Sequence, residues 1–368
     1  MKRIILSTLL LPLALTAFAQ HYTVDVDNSE MLRYADFSEP SRKEIVLPSQ
    51  VNGYNVYKAD LHTHSVYSDG WATPQFRVKE AWLDGLDIFA VTEHLEYRPF
   101  EDEMKDYLNV WGKKNPDMNA AVKVAQKEAE NWDIFIIPGT EITRHGTYIG
   151  HFNALFTTDN NKIHHDDPVK AIRNAKKQGA LVMHNHPGWI RTSIDYTEAE
   201  KIAYDEGLID GVEVMNYYEF YPGIIDRVRE RGLFISANTD IHASTAEDFN
   251  AREFMRPITL IFASERTEKG IREALESCRT LAFGFNTICG DEQLLKDFFA
   301  ASVDVNKLSD KAYMQTNKTC VPYTIRLEGR NPVSLPAFST IRIEGPSSFT
   351  VLNMFCGKEA HPQIELSF

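Results

Sequence analysis

Asp60-Leu61-His62-Thr63-His64-Ser65, followed by Ser68-Asp69-Gly70, is the stretch on which the reading of this chain turns. It has the pattern of a buried β-strand running into a polar turn. Residues two apart on a strand point to one side, so His62 and His64 set two imidazoles together where the strand opens into a loop. Two neutral imidazoles with a carboxylate, Asp69, five residues on suit a transition metal. A polar turn carrying two solvated histidines has the same local pattern, and the rest of the chain decides between them.

The pattern recurs downstream. Asp87-Ile88-Phe89-Ala90-Val91-Thr92 is apolar and ends in Glu93-His94, and the apolar run from Asp133 to Gly139 delivers Glu141. Gly150 to Phe156 alternates as a strand does and carries His151. Ala180 to Met183 runs into His184-Asn185-His186-Pro187-Gly188, Gly211 to Met215 forms another strand, and Leu233 to Asn238 runs into Thr239-Asp240-Ile241-His242. Helices fit between them. Thr73-Pro74 and Asp167-Pro168 each pair an N-cap with a proline at the first helical position. Met118 to Trp132, Ile224 to Arg231 and Lys269 to Cys278 have helical patterns. Short buried strands separated by helices imply a parallel sheet. About seven such units with polar residues at the strand ends fit a closed α/β barrel, whose active sites lie at those ends. Six of the twelve histidines fall there, beside Asp69, Glu141 and Asp240. That regularity favours the metal over the solvated turn.

At 368 residues the chain has room for a large α/β domain and a small one. Its net charge of -13 provides no global basic field for nucleic acid, so a phosphorylated substrate would need local positive charge. Met1-Lys2-Arg3, the apolar run Ile4 to Leu15 and Ala17-Phe18-Ala19 predict a signal peptide over 1–19 cleaved after Ala19, and hence export to the periplasm or medium. That apolar run is short for a membrane span, and no second long one follows. Residues 20–55 read as an irregular lead-in and 56–290 as the barrel. Residues 291–368 read as a small β-rich domain with strands at Tyr323 to Leu327, Thr340 to Glu344 and Phe349 to Phe355. Cys278, Cys289, Cys320 and Cys356 lie far from the histidine motifs; export permits disulfides, and four reduced thiols fit equally.

The ordered set of Asp60 to Ser65, Ser68-Asp69-Gly70, Thr92-Glu93-His94, Pro138 to Glu141, His151, His186-Pro187-Gly188 and Asp240-Ile241-His242 resembles the PHP family, named for polymerase and histidinol phosphatase members. The resemblance spans roughly residues 57 to 285. It implies a distorted (β/α)7 barrel holding two to three divalent metal ions, Zn, Mn or Fe, at the strand ends. Carried over motif by motif, His62, His64, Glu141 and Asp240 would hold the first metal. Glu141 would bridge to a second, completed by His151 and His186, while Asp69, His94 and His242 would hold a third. Family members vary between Asp and His at the position of Asp69, and Glu93 stands where many have Asp, next to a ligand.

Imidazole and carboxylate suit these metals, and the lack of thiolate argues against a structural zinc site. A bridging carboxylate holds two cations roughly 3.5–4 Å apart, where a shared hydroxide attacks phosphorus. The implied activity is hydrolysis of a small phosphorylated substrate, a phosphomonoester above all, with Asp240, His186 and Glu141 as catalytic groups and Asp240 a candidate acid for the leaving alkoxide. The alternative is a phosphodiesterase or nuclease on nucleotides or short oligonucleotides; long nucleic acid is not expected. A non-catalytic metal-containing binding protein would be marked by an incomplete ligand set, and all nine positions are filled. Arg98, Arg144 and Arg191 follow three ligand motifs and could grip phosphate bidentately or lie solvated at the surface. His184, two residues before His186, could touch substrate, support a ligand or pack. Trp189 could wall the pocket or pack at the rim, and the polar segment Tyr97 to Asn119 is the expected lid.

Overall fold

Aromatic and β-branched residues interleave with polar ones from Tyr54 to Asp60, and that whole span is a strand, β2, hairpinned to Gln50–Val51 (β1). The computed structural model describes residues 41–100, 117–143, 150–250 and 255–366. The expected signal peptide, Arg144 and most of the expected lid lie outside the described residues.

Ile88–Val91 (β3) and Phe135–Ile142 (β4) continue from β2 in parallel. His151–Leu155 (β5) then breaks the pattern, running antiparallel both to β4 and to Leu181–Asn185 (β6). Gly211–Asn216 (β7) is parallel to β6, Glu219–Phe220 (β8) folds back on the end of β7, and Phe234–Asn238 (β9) runs parallel to β7. The curled sheet closes at its rim. Thr63, just past β2, bridges in parallel to Ile241, just past β9; Asp240 N–H donates to His62 O and His64 N–H to Ile241 O. Ile258–Ala263 (β10), Thr280–Gly284 (β11) and Thr287–Gly290 (β12) extend the sheet antiparallel from the other edge of β2. The fold is thus the expected distorted α/β barrel, with mixed rather than parallel strands.

Helices Pro74–Leu83 (α1), Ala120–Ala129 (α2), Pro168–Lys177 (α3), Glu198–Asp205 (α4), Gly223–Arg231 (α5) and Glu268–Glu276 (α6) connect the strands. The two Thr/Asp-Pro starts behave as read: Thr73 accepts the Phe76 N–H, and Asp167 accepts those of Val169 and Lys170. The periodicity reading missed α4, although Thr197 and Glu200 form a capping box at its start. It also missed Glu292–Ser302 (α7), so the segment after Gly290 begins as a helix.

Beyond α7, Val303–Ser309 (β13), Ala312–Asn317 (β14) and Thr340–Glu344 (β17) form one small sheet. Tyr323–Arg326 (β15), Val333–Leu335 (β16), Ser348–Val351 (β18) and Gln363–Glu365 (β20) form another. Met354–Phe355 (β19) leaves both and pairs in parallel with β12, so the strand expected over 349–355 is split between two sheets. One apolar cluster runs from Leu260, Phe262 and Phe283 to Phe298, Phe299, Tyr323 and Phe349. The four cysteines form no disulfide.

Below the rim, Leu61, Ile137, Met183 and Phe234 pack beneath the strand ends. Arg256 is buried, ion-paired with Asp60 and, at 2.7 Å, with Asp84, the C-cap of α1. Asp60 in turn accepts hydrogen bonds from Thr239, so this guanidinium joins the ends of β2 and β9 just ahead of His62 and Asp240. Arg256→Ala would leave two buried carboxylates without their cation, at an expected cost of about 3–5 kcal/mol. Denaturant unfolding of the purified variant measures it, and a loss below about 1 kcal/mol would contradict this role.

Candidate metal centre

His62 and His64 are buried past the last residue of β2 and turn their Nε2 atoms to within 3.1 Å of each other. Glu141 Oε2, from the end of β4, lies 3.0 Å from His62 Nε2 and 3.2 Å from His64 Nε2. Asp240 Oδ1, just past β9, lies 3.2 and 3.0 Å from the same two nitrogens. Donors bound to one zinc at about 2.0–2.1 Å stand about 3.3 Å apart along a tetrahedral edge. Four donors from three strand ends therefore meet at nearly that spacing.

The other two expected groups converge beside it. His151 Nδ1 lies 3.0 Å from Glu141 Oε1, and the His151 and His186 rings are 4.9 Å apart, edge to face. His186 Nε2 is 3.7 Å from Asp240 Oδ2. Asp69 Oδ1 lies 3.1 Å from His242 Nε2 and 3.4 Å from His94 Nε2. His64 also stands with this last group, its Nδ1 3.8 Å from Asp69 Oδ1.

These are contact distances, yet Asp69 Oδ1, Glu141 Oε1, Asp240 Oδ1 and His186 Nδ1 are buried without a hydrogen-bond partner. Buried polar atoms are nearly always satisfied. Donor atoms left unsatisfied in the middle of such a cluster fit a shared cation.

The electrostatics agree. Burial works against the ionised form of Glu141, but the charges of His94 and His62 hold its carboxyl well below the usual range. For Asp240, burial is likewise outweighed by His62, His64 and His242, and for Asp69 by His242, His94 and His64. Burial also disfavours the imidazolium of His94, yet Glu141 and Asp69 push its pKa up to about 10; Asp240, Glu213 and Glu141 likewise raise His62 well above its ordinary value. Burial and the neighbouring His151 instead lower His186. The neighbouring carboxylates favour positive charge among these imidazoles, the charge a bound metal would supply. The donor set fits divalent metal ions.

No protein-family model and no curated protein matches the chain. Among solved structures, a two-domain protein from Bacteroides vulgatus ATCC 8482 containing a predicted PHP-like metal-dependent phosphoesterase matches with 31% identity and a TM-score of 0.81, over 90% of this chain and 100% of that one. The chain belongs to the PHP-like metal-dependent phosphoesterases. More distant matches include the lesion-specific endonuclease PfuEndoQ from Pyrococcus furiosus, with 16% identity and a TM-score of 0.41 over 64% of this chain and 59% of that one. An amidohydrolase from Chromobacterium violaceum has 15% identity and a TM-score of 0.37 over 52% and 89%. At those scores neither bears on fold or activity.

In this PHP-like chain the strand registers decide which polar residues reach the centre. His151 pairs with Asn185 and Glu141 with Asn153, placing those side chains on the inner face. Phe152 pairs with His184, and their rings stack at 5.1 Å on the outer face. His184 is thus not a substrate contact: buried under α4, it bonds Tyr204 OH at 3.0 Å and Glu200 Oε1 at 3.1 Å. His186 escapes the alternation because β6 ends at Asn185 and His186 takes φ +23. Asp240, at φ +52, turns inward in the same way. Such backbone costs about 1–3 kcal/mol per residue and concentrates at functional sites.

The two described arginines expected to grip phosphate, Arg98 and Arg191, do not gather at the metals. Arg191 pairs with Glu200 at 3.0 Å and donates to Pro187 O, behind the turn that carries Trp189. Arg98 contacts Met118 Sδ in a small cleft beside His94, and Arg144 lies outside the described residues.

The nine ligand candidates lie at or just beneath the floor of a cavity of about 910 Å³ walled by Trp71, Tyr97, Trp189, Tyr217, Glu219 and Asp248. Trp189 thus walls the pocket, its ring 5.3 Å from both His151 and His186. Glu93 holds the Ser65–Ser68 turn by accepting from Ser65 N–H and both serine hydroxyls. Glu213 was missed in the sequence, where it sits inside an apolar strand with no histidine beside it, yet it bonds His62 Nδ1 at 2.9 Å.

Gly70 closes the Asp69 turn. A Cβ there would lie 2.6 Å from the His64 carbonyl carbon and 2.8 Å from Ser65 N, both rigid backbone. Gly70→Ala is expected to displace Asp69 and lower stability by about 1–3 kcal/mol. Metal titration should show weakened binding at the Asp69–His94–His242 group, and wild-type metal content with an unchanged Tm would contradict this.

Proposed function

We propose that this PHP-like enzyme, a metal-dependent hydrolase of phosphate esters, acts on a small phosphorylated substrate, a phosphomonoester in preference to a diester. The observation that carries this reading is the convergence of nine ligand-type side chains at the floor of one cavity. His62, His64, Glu141 and Asp240 would hold one metal, Glu141 with His151 and His186 a second, and Asp69, His94 and His242 a third; Zn, Mn and Fe all suit imidazole and carboxylate. Bound there, divalent metals supply Lewis-acid stabilisation of a phosphoryl group and water acidic enough to be a nucleophile near neutral pH.

The chain's own residues do the rest. Glu141 and Asp240 remain ionised under burial and so keep the floor attractive to cations. Asp240 lines the cavity as well as the metal cluster, and that position supports a role for its carboxylate in passing a proton from the attacking water to the leaving alkoxide. The aromatic walls bound the space left for the alcohol part of the ester. Glu219 and Asp248 among the lining residues, and the net charge of -13, oppose a long polyanion, whose binding rests on cationic side chains. Export after cleavage near Ala19 belongs to the same reading, on the pattern of residues 1–19.

Purified protein reconstituted with Mn²⁺ or Zn²⁺ should hydrolyse p-nitrophenyl phosphate faster than bis(p-nitrophenyl) phosphate, with little cleavage of a duplex oligonucleotide. Chelation, or the His62→Ala/His64→Ala pair, should lower the rate at least ~10³-fold, the several kcal/mol that metal catalysis supplies. Full activity in either would sink the mechanism. Faster diester cleavage would transfer the assignment to a phosphodiesterase.

A further inference from the structure

Glu213 lies on β7, fully buried and with its side chain outside the cavity lining. Each of its carboxylate oxygens takes two donors. Oε1 accepts from His62 Nδ1 at 2.9 Å and Asn238 Nδ2 at 2.9 Å; Oε2 accepts from the His186 backbone N–H at 2.7 Å and Asn216 Nδ2 at 2.9 Å. The orientation of Asn238 is set independently, because its Oδ1 accepts the Leu61 N–H at 2.8 Å and the Thr259 hydroxyl at 3.1 Å. Four donors meeting one side chain require a group that only accepts, and an ionised carboxylate is the side chain with that capacity.

We propose that Glu213 is a positioning residue that makes the His62 and His186 metal sites one supported unit, separate from the Asp69 group. Two consequences follow from the bonds. A carboxylate partner obliges Nδ1 of His62 to carry the proton, which leaves the lone pair on Nε2, the atom facing Glu141 and Asp240. Holding the His186 N–H secures the backbone at φ +23 that turns this imidazole inward. The Asp69 group is supported by other partners: Thr143 Oγ1 lies 2.7 Å from His94 Nδ1, and the Asp240 carbonyl lies 2.7 Å from His242 Nδ1. Glutamine cannot replace Glu213, since its NH₂ would face at least one pair of donors.

The proposal rests on the metal-dependent reading above, and the test separates the two. Wild-type protein, Glu213→Gln, His62→Ala and the double variant are titrated with Zn²⁺, with bound metal counted after dialysis. Glu213→Gln should bind about 10–100-fold more weakly at the His62 and His186 sites while retaining metal at the Asp69 group, as expected for loss of a ligand's hydrogen-bond partner. In the His62→Ala background the substitution should weaken the His62 site no further. A uniform loss at all three groups, as a merely structural role would give, overturns the proposal, and so does unchanged affinity. In zinc-loaded wild type, ¹H–¹⁵N correlation of the imidazoles should show His62 protonated at Nδ1; protonation at Nε2 overturns the proposal, and this measurement decides alone should Glu213→Gln not fold. Wild-type protein that takes up no zinc would instead sink the metal reading itself.

Discussion

Asp69, Glu141 and Asp240 bring three ionised carboxylates together at one barrel rim, and the organisation of the molecule follows from compensating that charge. A carboxylate taken from water costs several kcal/mol after relaxation unless it meets opposite charge or donors. Six imidazoles surround these three groups, and imidazole can meet a carboxylate with a proton or share it with a metal. Hydrogen-bonded lysines or arginines in the same place would satisfy the acids permanently. Histidines leave the compensation exchangeable, which is what a metal centre needs.

Supporting interactions continue outward from the ligands. Glu213 orders His62 and His186, Glu93 orders the turn that presents Asp69, and Arg256 joins the strand ends just ahead of His62 and Asp240. Each supporting acid has donors of its own, so buried charge is answered locally. Some of the backbone strain lies at the same rim: His186 and Asp240 adopt positive φ, and the bridge between Thr63 and Ile241 closes the barrel beside them. The sheet below, filled with Leu61, Ile137 and Met183, is the rigid part against which that strain is held.

The C-terminal sheets show no comparable polar concentration among the described residues. They are joined to the barrel by the pairing of β12 with β19 and by an apolar cluster that includes Phe262, Phe298, Phe299 and Tyr323. A ring pair such as Phe299 and Tyr323, with centroids 4.9 Å apart, contributes packing within that cluster.

Local chemistry was legible in the sequence wherever it depended on nearest neighbours. The His62–His64 pair, the apolar runs ending in His94, Glu141 and Asp240, and the Thr73-Pro74 and Asp167-Pro168 helix starts could all be read in order, because strand alternation and capping act over two to four residues. The ligand set came from the resemblance of those motifs, and all nine residues lie together in the structure. Facing and direction were decided only by the tertiary structure. His184 and His186 share a strand parity, yet one lies outside the barrel and the other inside, because a positive φ intervenes after the last strand residue. His151 opens its strand rather than ending it, and reaches the common rim because β5 runs antiparallel. Glu213 carries no local signal at all; its four donors come from His62, His186, Asn216 and Asn238, at four strand ends that only the closed barrel brings together.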